Sequence, residues 1–103
     1  RPYIGLSGIN IDDATARMNN IVKGVYVMQV LQGTPAQEAG IQRGDIIVQI
    51  DGKDITTMEE LNEIKNAKNI GDTITLKINR AGKEIEVKVT LASNESTSEN
   101  VTN

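Results

Sequence analysis

The sequence has no cysteine, histidine, tryptophan or phenylalanine. Without cysteine there are no disulfides and no thiolate chemistry. Without histidine a Ser-His-Asp triad cannot be assembled, so the chain itself is expected to be non-catalytic. Its only serines are Ser7, Ser93, Ser96 and Ser98. Tyr3 and Tyr26 are the only aromatic residues, too few for a base-stacking platform. The net charge is −3 and the basic residues are scattered, which argues against nucleic acid as a partner. No apolar run approaches the ~20 residues that span a bilayer, so no direct membrane insertion by this chain is expected. No signal peptide opens it. It begins Arg1-Pro2 rather than with Met, which suggests a piece of a longer protein. Asp12, Asp13, Asp51 and Asp54 lack EF-hand spacing, so they read as caps and turn residues. Neither a metal nor a cofactor is expected.

What remains is a chain of 103 residues, suited to one domain, with a core of Ile, Val, Leu, Met and Ala. Tyr3 to Ile11 reads as a strand made irregular by Gly5 and Gly8. Asp12 or Asp13 suits the N-cap of a short helix reaching about Asn20. Val25 to Leu31 is rich in strand formers. Thr34-Pro35 opens a second short helix, which Gly40 ends as a left-handed residue. Asp45 to Ile50 reads as a strand closed by an Asp51-Gly52 turn. Thr57 and Glu60 fit a capping box for a longer helix running to about Ala67, with Met58, Leu61 and Ile64 on one face. Thr73 to Asn79 and Glu84 to Leu91 alternate apolar and polar residues around an Arg80-Ala81-Gly82-Lys83 hairpin. From Ala92 onward no apolar anchor remains, so residues 92–103 are expected to form a disordered polar tail after a domain of residues 1–91. Asn94 and Asn100 begin glycosylation patterns short enough to arise by chance.

One stretch carries a resemblance. The run from Ala39-Gly40-Ile41 through Arg43-Gly44-Asp45 to Ile50-Asp51-Gly52 resembles the signature of PDZ domains. Arg1-Pro2-Tyr3-Ile4-Gly5-Leu6 resembles the carboxylate-binding loop of PDZ domains in bacterial HtrA/Deg serine proteases, with Leu6 at a position that is often Ile. The likeness covers about residues 1 to 91. It implies an α+β fold, a small partly open β-barrel or sandwich of about five to six strands with one longer and one or two short helices.

The resemblance also implies a site. Tyr3, Ile4, Gly5 and Leu6 would form the loop that binds a peptide's terminal carboxylate. Ser7, Gly8 and Ile9 would pair with the peptide as an added strand. Thr57, Met58, Leu61 and Ile64 would form the helix wall of the groove, and Arg1 is a weaker candidate for carboxylate contact. The implied partners are apolar C-termini of unfolded or substrate proteins and an attached protease domain, which the module would regulate or feed. The implied location is extracytoplasmic, in the cell envelope, with a membrane anchor elsewhere in the full protein. Two alternatives stand beside it. One is the PDZ domain of a carboxy-terminal processing or intramembrane metalloprotease. The other is a structural or oligomerisation module whose groove is self-occupied.

Overall fold

The computed structural model describes residues 2–93. The expectation of Tyr3 to Ile11 as one strand fails at Ile4-Gly5. Strand β1 covers Pro2–Tyr3 and β2 covers Leu6–Asn10. Between them Gly5 takes a φ of +94°, which no strand contains, while Ile4 turns inward and is buried. The chain continues as α1 (Asp13–Asn19), β3 (Val25–Val30), α2 (Pro35–Glu38), β4 (Ile46–Ile50) and β5 (Lys53–Asp54). It ends in α3 (Met58–Asn66), β6 (Thr73–Arg80), β7 (Lys83–Thr90) and β8 (Ala92–Ser93). Among the described residues, six antiparallel strands form one sheet in the order β2-β3-β4-β6-β7, with β5 beside β4. The sheet does not close into a barrel. The fold is α+β, as the sequence pattern and the resemblance imply.

Local chemistry sets these elements. The Asp12 carboxylate caps α1 by accepting from Thr15 N at 2.8 Å, a bond that also holds its pKa below the ordinary carboxylate value. Thr34 caps α2, with Pro35 at the first position, where a missing N–H is harmless. The expected capping box of α3 is complete. Glu60 N donates to the Thr57 hydroxyl, and the Glu60 carboxylate accepts from Thr57 N. Asp51 and Gly52 have φ of 51° and 80°, and Ala81 and Gly82 have 53° and 84°. The second pair gives β6 and β7 the two-residue turn whose twist suits a hairpin.

The core lies between the sheet and α3. Val25 and Val27 from β3, Ile47 and Ile50 from β4, and Ile74, Leu76 and Ile78 from β6 are buried against Leu61 of α3. Each such aliphatic side chain contributes roughly 1.5–3 kcal/mol through removal from water. Asp45, read from the sequence as the start of strand β4, is also buried. Arg80 grips it in two parallel bonds, Nε to Oδ1 and Nη2 to Oδ2, both 2.8 Å. Arg80 Nη2 also reaches the Gly40 carbonyl, and Gln42 N donates to Asp45 Oδ2. The α2–β4 loop is thus fastened to the end of β6, and the Asp45 bonds raise the Arg80 pKa further.

Ala92 and Ser93, expected to open the polar tail, form a short strand instead. Ala92 and Ser93 pair with Tyr3 and Pro2 as a short antiparallel ladder. Backbone pairing needs no apolar side chain, so the loss of hydrophobic pattern after Leu91 did not reveal this ladder. The remainder of the expected tail, residues 94–103, lies outside the described residues, as does Arg1.

Candidate functional site

Strand β2 ends the sheet order, so only one of its edges is taken up by β3. An edge strand offers a row of backbone groups to an added strand. The residues on either side of Gly5 fix how the preceding loop is oriented. The Ile4 carbonyl accepts from Ala36 N of α2 at 2.8 Å, and the Gly5 carbonyl accepts from Leu31 N at 2.9 Å. Across a trans peptide the carbonyl and the following N–H point in opposite directions. The N–H groups of Gly5 and Leu6 therefore point away from α2 and β3.

Those amides border a cavity of ≈ 70 Å³ lined by Tyr3, Ile4, Gly5, Leu6, Met58, Leu61, Asn62 and Lys65. All four loop residues singled out in the sequence meet there. From the helix, Met58 and Leu61 are present, joined by Asn62 and Lys65. These four recur at helical spacing and form one stripe along α3. Ile64 is not among the lining residues; it packs against the core. The sequence reading took the apolar face of the helix for the groove face. In the structure that face is shared: Leu61 serves both sides, Ile64 turns to the core, and Asn62 and Lys65 turn to the cavity. A polar residue flanking a groove has the same pattern as one facing water, so nothing in the sequence separated them.

Thr57 stands at the start of the same helix, but its hydroxyl is committed to the cap. It accepts from Glu60 N at 3.1 Å and lies 3.3 Å from Glu60 Oε1. Bonds from Thr56 N and Oγ1 and from Thr57 hold the Glu60 carboxyl below its usual range, the Thr56 backbone bond most strongly. Within β2, Leu6 and Gly8 face α3, whereas Ser7 and Ile9 face the other side of the sheet, where Ile9 is 54% exposed. The ladder with β3 shifts register between Ser7 and Gly8, where Met28 of β3 is the extra, unpaired residue of a bulge.

Sequence reasoning missed one supporting residue. Thr34 is buried directly behind Gly5, and its hydroxyl donates to the Leu31 carbonyl at 2.7 Å. A Cβ on Gly5 would fall 2.3 Å from the Thr34 Cβ. Glycine is thus required here twice, by φ and by space. The acidic residues weighed as metal ligands are otherwise employed. Asp12 caps, Asp13 pairs with Lys23, Asp54 accepts from Gln49, and Asp51 binds Thr75 N and Lys68.

An edge strand, the loop at its start and a helix alongside meet at this one cavity. The PDZ-domain family model matches residues 2–91, and the chain belongs to the PDZ-domain family. Its relatives are HtrA/Deg serine proteases. The chain is 40% identical over 102 residues to the serine protease Do-like HtrA of Bacillus subtilis (strain 168), an alignment covering 88% of this chain and 22% of that protein. It is 36% identical over 101 residues to the putative serine protease HhoA of Synechocystis, covering 88% and 26%. Among solved structures, the HtrA3 PDZ domain bound to a phage-derived ligand superposes with a TM-score of 0.77 at 25% identity, over 88% of this chain and 85% of that one. The HtrA-type protease AlgW with a decapeptide shares the fold, with a TM-score of 0.75 at 20% identity, over 89% of this chain and 29% of that one. The chain spans about a fifth to a quarter of the length of these curated relatives. A PDZ domain is non-catalytic, and the relatives' catalytic domain is not in this chain. These relatives do not favour a carboxy-terminal processing enzyme or an intramembrane metalloprotease as the parent.

Proposed function

We propose that this domain binds peptides with a free, apolar C-terminus by strand addition to β2, and so recruits substrates to, or regulates, an HtrA-type serine protease to which it is joined. The observation that carries this reading is the tethering of the Ile4 and Gly5 carbonyls to α2 and β3, which aims the Gly5 and Leu6 amides outward. Successive N–H groups turned outward from a turn suit an anion. Lys65, a cationic residue lining the cavity, adds charge of the right sign. The cavity, ≈ 70 Å³, is about half the roughly 150 Å³ that accommodates benzene, which favours Val or Leu over an aromatic side chain at the terminus. The solved HtrA3 PDZ domain and AlgW both carry peptides, which supports a peptide ligand here. An extracytoplasmic setting is supported by another relative, a probable periplasmic DegP-like endoprotease of Chlamydia trachomatis, 35% identical over 96 residues.

The test compares a labelled hexapeptide, Gly-Ser-Gly-Leu-Ala-Val, as the free acid and as the C-terminal amide, by fluorescence anisotropy. Charge-assisted bonds to a carboxylate are worth roughly 1.5–3 kcal/mol each, and the amide loses the charge and turns an acceptor into a donor. The acid is expected to bind at least about tenfold more tightly, with the advantage shrinking in high salt. Equal affinity of the two forms would remove the carboxylate site and leave only strand addition by internal peptide segments.

A further inference from the structure

We infer that Asn10 is a positioning residue for the ligand: by latching β2 to the first turn of α3, it sets the groove width where the third residue from a peptide's C-terminus would lie. The inference rests on the groove reading above. Along β2 the residues facing α3 alternate as Leu6, Gly8 and Asn10. Leu6 borders the terminal cavity. Gly8 has no side chain, and the nearest helix atom to the place of its missing Cβ is Met58 Sδ, at 3.3 Å. A ligand side chain entering between Gly8 and α3 therefore meets a flexible thioether, a surface that adapts to apolar groups.

Asn10 then crosses from strand to helix. Its Oδ1 accepts from Met58 N at 2.7 Å, and its Nδ2 donates to Glu59 Oε1 at 3.2 Å. Met58 N is one of the first-turn donors that no carbonyl within the helix can serve. The Thr57 cap serves Glu60 N instead, so Asn10 completes the helix start from another element. A strand and a helix share no backbone ladder, and this pair of side-chain bonds fixes their separation at the open end of the groove. The other end is fixed independently, through Ile4, Gly5 and α2. Loss of the latch therefore frees the Met58 wall and leaves the carboxylate loop in place.

The experiment uses two labelled free-acid hexapeptides, Gly-Ser-Gly-Leu-Ala-Val and Gly-Ser-Gly-Gly-Ala-Val, against the native chain and N10A. The native chain is expected to prefer the leucine peptide. N10A should cut that preference by about fivefold or more while the acid-to-amide ratio of the leucine peptide stays unchanged. A merely structural role would weaken both peptides alike. N10D keeps the acceptor for Met58 N but sets a carboxylate against Glu59, so it should lose the preference at pH 7, and N10D/E59Q should regain it. That pair decides the matter if N10A does not fold. A preference unchanged in N10A, or not regained in N10D/E59Q, overturns the role of Asn10 alone. Failure of the native chain to bind either acid overturns the groove reading, and this inference with it.

Discussion

Adding a single methyl group at Gly5 meets two obstacles. The backbone stands at φ +94°, and the new Cβ would lie 2.3 Å from the Cβ of buried Thr34. Thr34 cannot withdraw, because it caps α2 and its hydroxyl binds the Leu31 carbonyl. Gly5→Ala is expected to cost at least about 2 kcal/mol in urea unfolding, from strain together with overpacking. Thr34→Ala should not rescue it, since alanine retains the offending Cβ. A Gly5 variant is therefore a poor probe of ligand binding: the mutation acts on the fold first. Modifying the peptide carboxylate leaves the protein intact and isolates the interaction.

At the scale of elements, the loop is held between two devices of different kinds. Behind it stands α2, through Ala36 N and Thr34. In front of it β1 is pinned by β8, with Tyr3 opposite Ala92 and Pro2 opposite Ser93. Two residues of ladder contribute only about 1 kcal/mol net, but they act directly on the segment that enters the loop. A chain ending at Leu91 should thus melt slightly below one ending at Ser93. Its Tyr3 and Ile4 amides should exchange markedly faster with deuterium. Equal exchange in the two chains would mean that α2 and the Leu31 bond to Gly5 hold the loop without β8.

For the whole molecule, the titration pattern follows from what the sequence lacks. With no histidine, no side chain of ordinary pKa titrates between pH 6 and 8, and stability should be nearly flat there. Below that range three carboxylates matter. Asp12, Asp51 and Glu60 all have their pKa lowered in the folded state, chiefly by backbone bonds from Thr15, Thr75 and Thr56 respectively. A lowered folded pKa stabilises the protein above the unfolded value, and that contribution is lost as pH falls through the folded value. The urea midpoint should hold from about pH 8 to 6 and decline from about pH 5 toward 3. Because each group caps a helix or closes a turn, the decline should be shallower in Glu60→Gln. An unchanged slope in that variant would place the acid sensitivity elsewhere.

Much of the fold was legible because its signals are local. The Thr57 and Glu60 box, the Thr34-Pro35 start, and the Asp51-Gly52 turn each involve residues within a few positions of one another, where backbone sterics and single hydrogen bonds decide the outcome. That Tyr3 to Leu6, Met58 and Leu61 come together around one cavity was legible too, through the resemblance and the helical period. The amino-acid sequence alone therefore determined most of the elements, their caps and the alternating core faces. The tertiary structure decided what depends on residues far apart in the chain: Asp45 held by Arg80 35 positions later, and Asn10 reaching α3 48 positions away. It also decided that Thr34 backs Gly5, that Ile64 faces the core while Asn62 and Lys65 face the cavity, and that Ala92 and Ser93 pair with β1. A side chain's partner across such distances is fixed only once the elements have packed, because composition and period carry no record of which surface will meet which.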